Sequence, residues 1–285
     1  MRKINGLCQP ADSPRRVKDS RQTGVSCTMT ESNTFMDHTI TRLRHELKRR
    51  QVTVQETIRL APTMLRILFT GADLHDFNSM APDDHVKLFF PSASTEQQMR
   101  DYTPRAFDTA AGTLTIDFAL HGAEHEAGPA TRWAMQAKPG DTIQIGGPRG
   151  SVIVSPSFDW WLLIGDETAL PAIARRLEEL PAKTRVKAII SVPTPEDEQH
   201  LETKTQCEII WLHRPTEQAS DPAPLLKLLQ TTELPKGDGF LWVATEGLVA
   251  RAVRDYLVNT RQHPLAWTKS SGYWLKGTAD AHDAG

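Results

Sequence analysis

The hydrophobic pattern of this 285-residue chain changes period once, near Pro156, and that change restricts the fold more than any single motif. Before it, VTVQETIRL, MLRILFTG, HVKLFF, LTIDFAL and TIQIGG are short, β-rich and often alternate apolar with polar residues, with Pro, Gly and Asp between them. Alternation with period two puts one face on a core and the other in water. So many short strands predict a small antiparallel barrel or sandwich over residues 50–155, interrupted by one helical stretch, GPATRWAMQAKPGD. After Pro156, WWLLIG, RVKAIISV, EIIWLH and GFLWVA are apolar throughout and are separated by helical patterns such as LPAIARRLEELP, PLLKLLQ and LVARAVRDYLVN. Strands apolar on both faces, alternating with amphipathic helices, require a parallel sheet covered on both sides. The expected fold is therefore a β domain followed by an α/β domain over residues 156–285.

Residues 1 to about 35 are rich in Ser, Thr, Arg and Asp and poor in large apolar side chains, a composition that predicts disorder. From Met36 to Arg50, Ile40, Leu43 and Leu47 recur at helical spacing, which predicts a short basic helix. Residues 1–49 are thus read as a disordered or helical extension. With 33 basic and 35 acidic residues the net charge is -2, which argues against binding nucleic acid through bulk charge. No apolar run approaches the roughly 20 residues that span a bilayer, so no membrane insertion is expected. Cys8, Cys27 and Cys207 are far apart and odd in number. They suggest a reducing, cytoplasmic setting and exclude a four-cysteine iron–sulfur cluster within this chain.

Three groups of residues carry chemistry. In RDYTPR, strand alternation places Arg100 and Tyr102 on one side and Thr103 on the other. With Arg105, they read either as a site for a planar phosphorylated ligand or as an edge strand whose arginines pair with Asp101 and Asp108. Downstream, GPATRWA opens a helix, so Gly128, Ala130 and Thr131 present backbone N–H groups that suit an anion or simply an ordinary cap. His121 ends the strand before it. The second group is Lys87 in DDHVKLFF and Arg149 in GPRGS, solvated cations unless both face the barrel mouth and form a positive rim. The third is GDETALPA, with Asp166, Thr168 and Ala169, and ATEGL with Glu246. Both follow apolar strands, where open α/β sheets bind ligands, although carboxylates there also serve as helix caps. GxGxxG is absent.

Taken in order, RDYTPR, DDHVKLFFP, IDFALHG with GPATRWA, GGPRGS, GDETALPA and SGYWLKG resemble the siderophore-interacting protein family over roughly residues 50–278. Its members are FAD-dependent, NAD(P)H-using ferric-siderophore or ferric-chelate reductases related to the ferredoxin–NADP reductases. The resemblance implies a six-stranded antiparallel flavin-binding barrel followed by an NAD(P)-binding-like parallel-sheet domain. It implies that Tyr102 stacks beside the isoalloxazine, with Arg100, Thr103 and Arg105 on the flavin-binding strand and the arginines near phosphate. It puts His121 and the Gly128–Thr131 turn on the phosphate and adenosine side. Asp166, Thr168, Ala169 and Glu246 would face the nicotinamide of NADPH or NADH. Lys87 and Arg149, with Lys276 a weaker third, would hold an anionic ferric siderophore of catecholate or carboxylate type. The long N-terminal extension departs from the family's compact start, and no role passes to it.

Electron counting favours such a cofactor. A nicotinamide delivers two electrons as hydride, Fe(III) accepts one, and a flavin reconciles the two. No side chain is then required as catalytic acid or base, and no protein metal ligand is needed. The ten histidines form no convincing ligand set. The competing readings are a flavoprotein fed by ferredoxin, which the acidic GDETALPA keeps open, and a siderophore-binding module without turnover. A monomer is expected.

Overall fold

The segment RDYTPR, continuous in sequence, divides at Thr103 into two strands that lie at opposite edges of one sheet. The computed structural model describes residues 38–91, 98–121, 128–278 and 283–284, so the disorder expected for residues 1 to about 35 falls outside it. The chain runs β1 (Ile40–Arg44), β2 (Arg49–Ala61), β3 (Met64–Thr70), β4 (Val86–Phe90), β5 (Gln98–Tyr102), β6 (Pro104–Asp108), β7 (Thr113–Ala119), α1 (Pro129–Gln136), β8 (Thr142–Gly146) and β9 (Gly150–Val154). Seven of these strands form an antiparallel sheet in the order β5-β4-β8-β2-β3-β7-β6. Because one residue joins β5 to β6, the two edges must meet, and the sheet is rolled into the expected barrel. It has seven strands rather than six. Pro104 explains the division: it has no N–H to give a ladder and starts the new strand. The period-two pattern buries Val52, Val54, Ile67, Phe69, Leu114, Ile116 and Phe118 inside the roll.

The helix expected from Met36 to Arg50 is corrected by β1, which pairs antiparallel with β9 from Ile40↔Val154 to Arg44↔Gly150. Helical spacing of Ile40, Leu43 and Leu47 gains nothing here, since Ile40 and Leu47 are exposed. Gly150 makes the pairing possible. A Cβ at that position would run into the Leu43 carbonyl oxygen.

The second half continues with β10 (Trp160–Asp166), α2 (Leu170–Glu179), β11 (Arg185–Val192), β12 (Gln206–His213), α3 (Ala223–Thr231), β13 (Gly239–Glu246), α4 (Gly247–Asp255), β14 (Thr268–Trp274) and β15 (Asp283–Ala284). The sheet order is β12-β11-β10-β13-β14-β15, parallel except for β15. All seven residues of β10 are buried, as its continuous apolar run requires. Gly165 lets α2 close on the sheet, since a Cβ there would lie 2.6 Å from Ile173 Cδ1 and 2.8 Å from Ala169 Cβ. SGYWLKG, near the C-terminus, contributes to strand β14. The strand order reverses between β10 and β13, so a crevice opens at their carboxyl ends, where Asp166 and Glu246 stand.

Helix α2 carries much of the contact between the halves. Its Arg175 donates to Ser79 Oγ at 2.8 Å, Ser79 O at 2.7 Å and Pro104 O at 3.1 Å. Arg176, also buried, lies 3.6 Å from Asp83, which accepts from Trp242 Nε1 at 2.9 Å and pairs with Lys269. Arg175 and Arg176 stand side by side in the helical pattern LPAIARRLEELP, on the face that meets the barrel.

Candidate functional site

On the barrel side, Tyr102 packs its ring on Phe118 with centroids 4.4 Å apart and meets Phe90 edge-on. Burial pushes its phenol well above the ordinary value, with Arg100 acting the other way. Arg100 donates to the Met99 carbonyl at 2.7 Å and is half-buried, while Thr103 is buried. Arg105 goes elsewhere: its guanidinium forms a two-pronged pair with Glu178 of α2. The expected grouping of Arg100 with Arg105 beside a phosphate is therefore not present in this structure. Nor is Asp108 an arginine partner, since it closes a turn by accepting from the N–H groups of Ala110 and Ala111.

Helix α1 begins at Gly128, whose backbone is extended, followed by Pro129 at the first helical position. Among the described residues no side chain caps this end, and no acidic residue lies in its first turn. Ala130 and Thr131 are buried, and Thr131 Oγ1 receives the His121 N–H at 3.5 Å. Among the described residues, no carboxylate of the first turn answers the positive end of the helix dipole.

The switch point of the parallel sheet holds three buried carboxylates. Asp166 Oδ1 accepts from Thr168 N at 3.0 Å and from Thr168 Oγ1, and Oδ2 accepts from Glu246 N at 3.1 Å and Trp274 Nε1 at 3.0 Å. Ala169 is the N-cap residue of α2 and fully buried, without a side chain to offer a ligand. Glu246 caps α4 through Leu248 N at 2.7 Å and Val249 N at 3.2 Å, and takes the Lys276 N–H at 3.2 Å. Asp166 and Glu246 therefore hold the crevice in shape. Glu167 differs from both. Its Oε2 accepts from Arg214 Nη2 at 3.0 Å, while buried Oε1 has no hydrogen-bond partner and lies 3.8 Å from His121 Nδ1. Burial, then the neighbouring Asp166, pushes Glu167 up to about 7, against the pull of Arg214. His121 is held below its ordinary value, chiefly by burial, and its ring stacks on Trp274 with centroids 5.7 Å apart. Here the barrel and the parallel sheet meet in one cleft.

Glu167 and Arg214 escaped the sequence reading as site residues. Arg214 follows the apolar strand EIIWLH and lines a recess with Asp166, Ser191, Asp221 and Thr245. The strand-end rule that selected GDETALPA also selects Arg214, a buried cation whose Nη1 is unpartnered among the described residues.

Lys87 lies on β4 opposite Asp101 and Gly146, with Nζ 3.0 Å from Asp101. Arg149 is exposed on the turn that follows Gly146, a turn packed against His85 and Val86. The two cations thus come from adjacent segments at one end of the barrel. Lys276 is not brought to them: its ammonium donates to Glu217 O at 2.6 Å, beyond the sheet's carboxyl edge.

Comparison with known proteins agrees with this arrangement. Residues 53–99 and 94–152 match the model of the siderophore-interacting FAD-binding domain, and residues 158–277 match that of the siderophore-interacting protein. The chain is 33% identical over 254 residues to the NADPH-dependent ferric-chelate reductase of Escherichia coli, covering 82% of this chain and 95% of that one. The chain belongs to the siderophore-interacting protein family. Within the family it is also 29% identical to the ferric vibriobactin reductase ViuB of Vibrio cholerae, covering 76% of this chain and 86% of the relative. Among solved structures, a siderophore utilization protein from T. fusca has a TM-score of 0.79 at 36% identity, covering 86% of this chain and 99% of that one. SipS of Aeromonas hydrophila has a TM-score of 0.70 at 29% identity, covering 81% and 93%. The cofactor named by the family's first domain is FAD, and the residues fit one. The Tyr102 ring, the Arg100 guanidinium and the α1 start supply an aromatic surface and donors for a pyrophosphate, and a Cβ at Gly128 would meet none of the described residues within 4 Å.

Proposed function

We propose that this protein is a ferric-siderophore reductase that takes electrons from NADPH. The observation that carries the reading is the shared cleft, where His121 of the barrel, bonded through its N–H to Thr131 of α1, faces Glu167 and Trp274 beside Asp166 at the switch point of the parallel sheet. An electron donor on one side and a flavin on the other would meet there. When bound, FAD accepts a hydride and releases its electrons singly, which is the change of count that Fe(III) requires.

The chain's own residues do the rest. Tyr102, with Phe118 behind it, offers a rigid aromatic surface for the ring system, and Arg100 and the α1 start offer charge and N–H donors for phosphate. Asp166 and Glu246 fix the backbone around the nicotinamide side, and the stacked Trp274 and His121 exclude water there. Lys87 and Arg149 recruit the substrate, a catecholate or carboxylate chelate whose net charge is negative. Iron stays in its chelate, so the reaction asks for no metal ligand from the protein. Among the described residues no group of three His, Cys, Asp or Glu is placed to bind one. A monomer in the cytoplasm completes the proposal. Among the described residues, no helix is long and apolar enough to cross a membrane.

Anaerobic stopped-flow of the FAD-loaded protein tests the donor: NADPH should bleach the flavin, and NADH or reduced ferredoxin should do so more slowly. A flavin reduced only by ferredoxin would favour the ferredoxin-fed alternative. Charge reversal tests the rim. Lys87→Glu or Arg149→Glu should raise KM for an anionic ferric catecholate by about tenfold, as expected for about 1.4 kcal/mol of lost attraction. The wild-type rate at limiting chelate should fall with salt, while a neutral ferric trihydroxamate should show little of either effect.

A further inference from the structure

Beneath the proposed rim runs a buried chain of hydrogen bonds that the reductase chemistry does not use. His45 Nε2 lies 2.7 Å from Ser151 Oγ, and Ser151 Oγ donates to Asp84 Oδ2 at 2.6 Å. From the other side, Arg175 Nη1 donates to Ser79 Oγ at 2.8 Å, and Ser79 Oγ donates to the same Asp84 oxygen at 3.0 Å. Ser79, Asp84, Ser151 and Arg175 are all buried. Serine, histidine and aspartate in contact suggest an activated nucleophile, but the polarity of the bonds excludes it. Ser151 has one hydroxyl hydrogen, and Asp84 receives it, so His45 Nε2 must be the donor to Ser151. A nucleophilic serine gives its proton to histidine, and the carboxylate then orients that histidine. Here the carboxylate is the sink at the centre, with donors running in from both ends.

The chain has one geometrical effect. Ser151 follows Arg149 by two residues, Asp84 precedes Lys87 by three, and His45 N–H donates to the Arg149 carbonyl at 2.9 Å. His45 thus grips the Arg149 turn twice, by its backbone and through Ser151, and ties it to the segment that leads into Lys87. We infer that His45 is a positioning residue for the chelate site, and that strand β1, seated by Gly150, is part of the substrate-binding machinery. This rests on the reading of Lys87 and Arg149 as the contacts of an anionic ferric chelate. Arg149 is exposed and its side chain has no partner among the described residues, so its direction is set through the backbone of its turn, which His45 holds at Arg149 and Ser151 while Arg50 and the Lys48 carbonyl hold it at Gly147, at 3.2 and 3.1 Å. Holding the turn in advance removes an ordering cost from binding.

The test uses the FAD-loaded full chain. His45→Ala should raise KM for a ferric tris-catecholate by about fivefold with kcat retained, the loss expected for one hydrogen bond. The dissociation constant of the redox-inert gallium tris-catecholate, read by tryptophan fluorescence of the oxidised protein, should rise by the same factor. His45→Gln keeps an N–H for Ser151 and should restore both values. KM for a neutral ferric trihydroxamate should not move. The inference is overturned if His45→Ala behaves as wild type in a protein where Arg149→Glu raises KM. It is equally overturned if the loss extends to the neutral chelate or if glutamine fails to restore it. Should Lys87→Glu and Arg149→Glu both leave KM unmoved, the rim itself is wrong and this inference falls with it.

Discussion

Asp83→Ala is expected to cost about 3–5 kcal/mol of stability, seen as a fall of roughly 10 °C in Tm. The Asp83 side chain is buried where the barrel meets the parallel sheet, beside Arg176, Lys269 and the indole N–H of Trp242. Removing it strands Arg176, which is buried and otherwise faces the Trp161 ring at 5.0 Å. The penalty comes from that uncompensated guanidinium more than from the lost pair. Burial alone would raise the Asp83 carboxyl, but Lys269 and Arg176 hold it below the ordinary aspartate value. A depressed carboxylate contributes stability that is present above the ordinary pKa of about 3.9 and is lost as pH falls through the depressed value. Calorimetry at pH 7 and near pH 3 should therefore find the gap between wild type and variant narrowing in acid. An alanine variant that melts with wild type at pH 7 would show that the clasp contributes nothing.

The second large effect is on the cofactor. Arg100→Ala combined with Tyr102→Ala should weaken FAD binding by roughly a hundredfold, from about 3 kcal/mol of lost charge-assisted hydrogen bonding and ring contact. Flavin released per protein, measured by absorbance after gel filtration and again after titration with FAD, reads this directly. Circular dichroism should show the fold retained. Arg105→Ala is the discriminating companion: it breaks the pair with Glu178 and should lower Tm while leaving flavin affinity nearly intact. Equal flavin loss in both proteins would return Arg105 to the cofactor and remove the distinction drawn between the two arginines.

That distinction marks the limit of what sequence carries. The change of hydrophobic period near Pro156 and the ordered set of motifs placed both domains, because burial periodicity is a local property of the chain. The partner of an arginine is not local. Arg105 meets Glu178 and Arg175 meets Ser79, 73 and 96 residues apart, and nothing in RDYTPR or LPAIARRLEELP announces either. Strand β1 failed for the same reason. Its ladder is with β9, and the glycine that admits it lies in the motif GGPRGS, where it reads as a turn. Lys87 and Arg149 were legible as cations, but only the pairing of β4 with β8 brings their segments together.

Among the described residues, strand β5 pairs only with β4, and β6 only with β7, so the barrel is closed along one line by the peptide link at Thr103 rather than by a ladder. A cylinder closed in this way has a weakest generatrix. The outward amides of β5 and β6 lack strand partners there, so exchange with deuterium should begin at this line and proteases should enter it first. Tyr102 and Arg100 stand on that same line. A molecule bound across it would act as a removable rivet, and the protein's lifetime in the cell would then follow its supply of flavin.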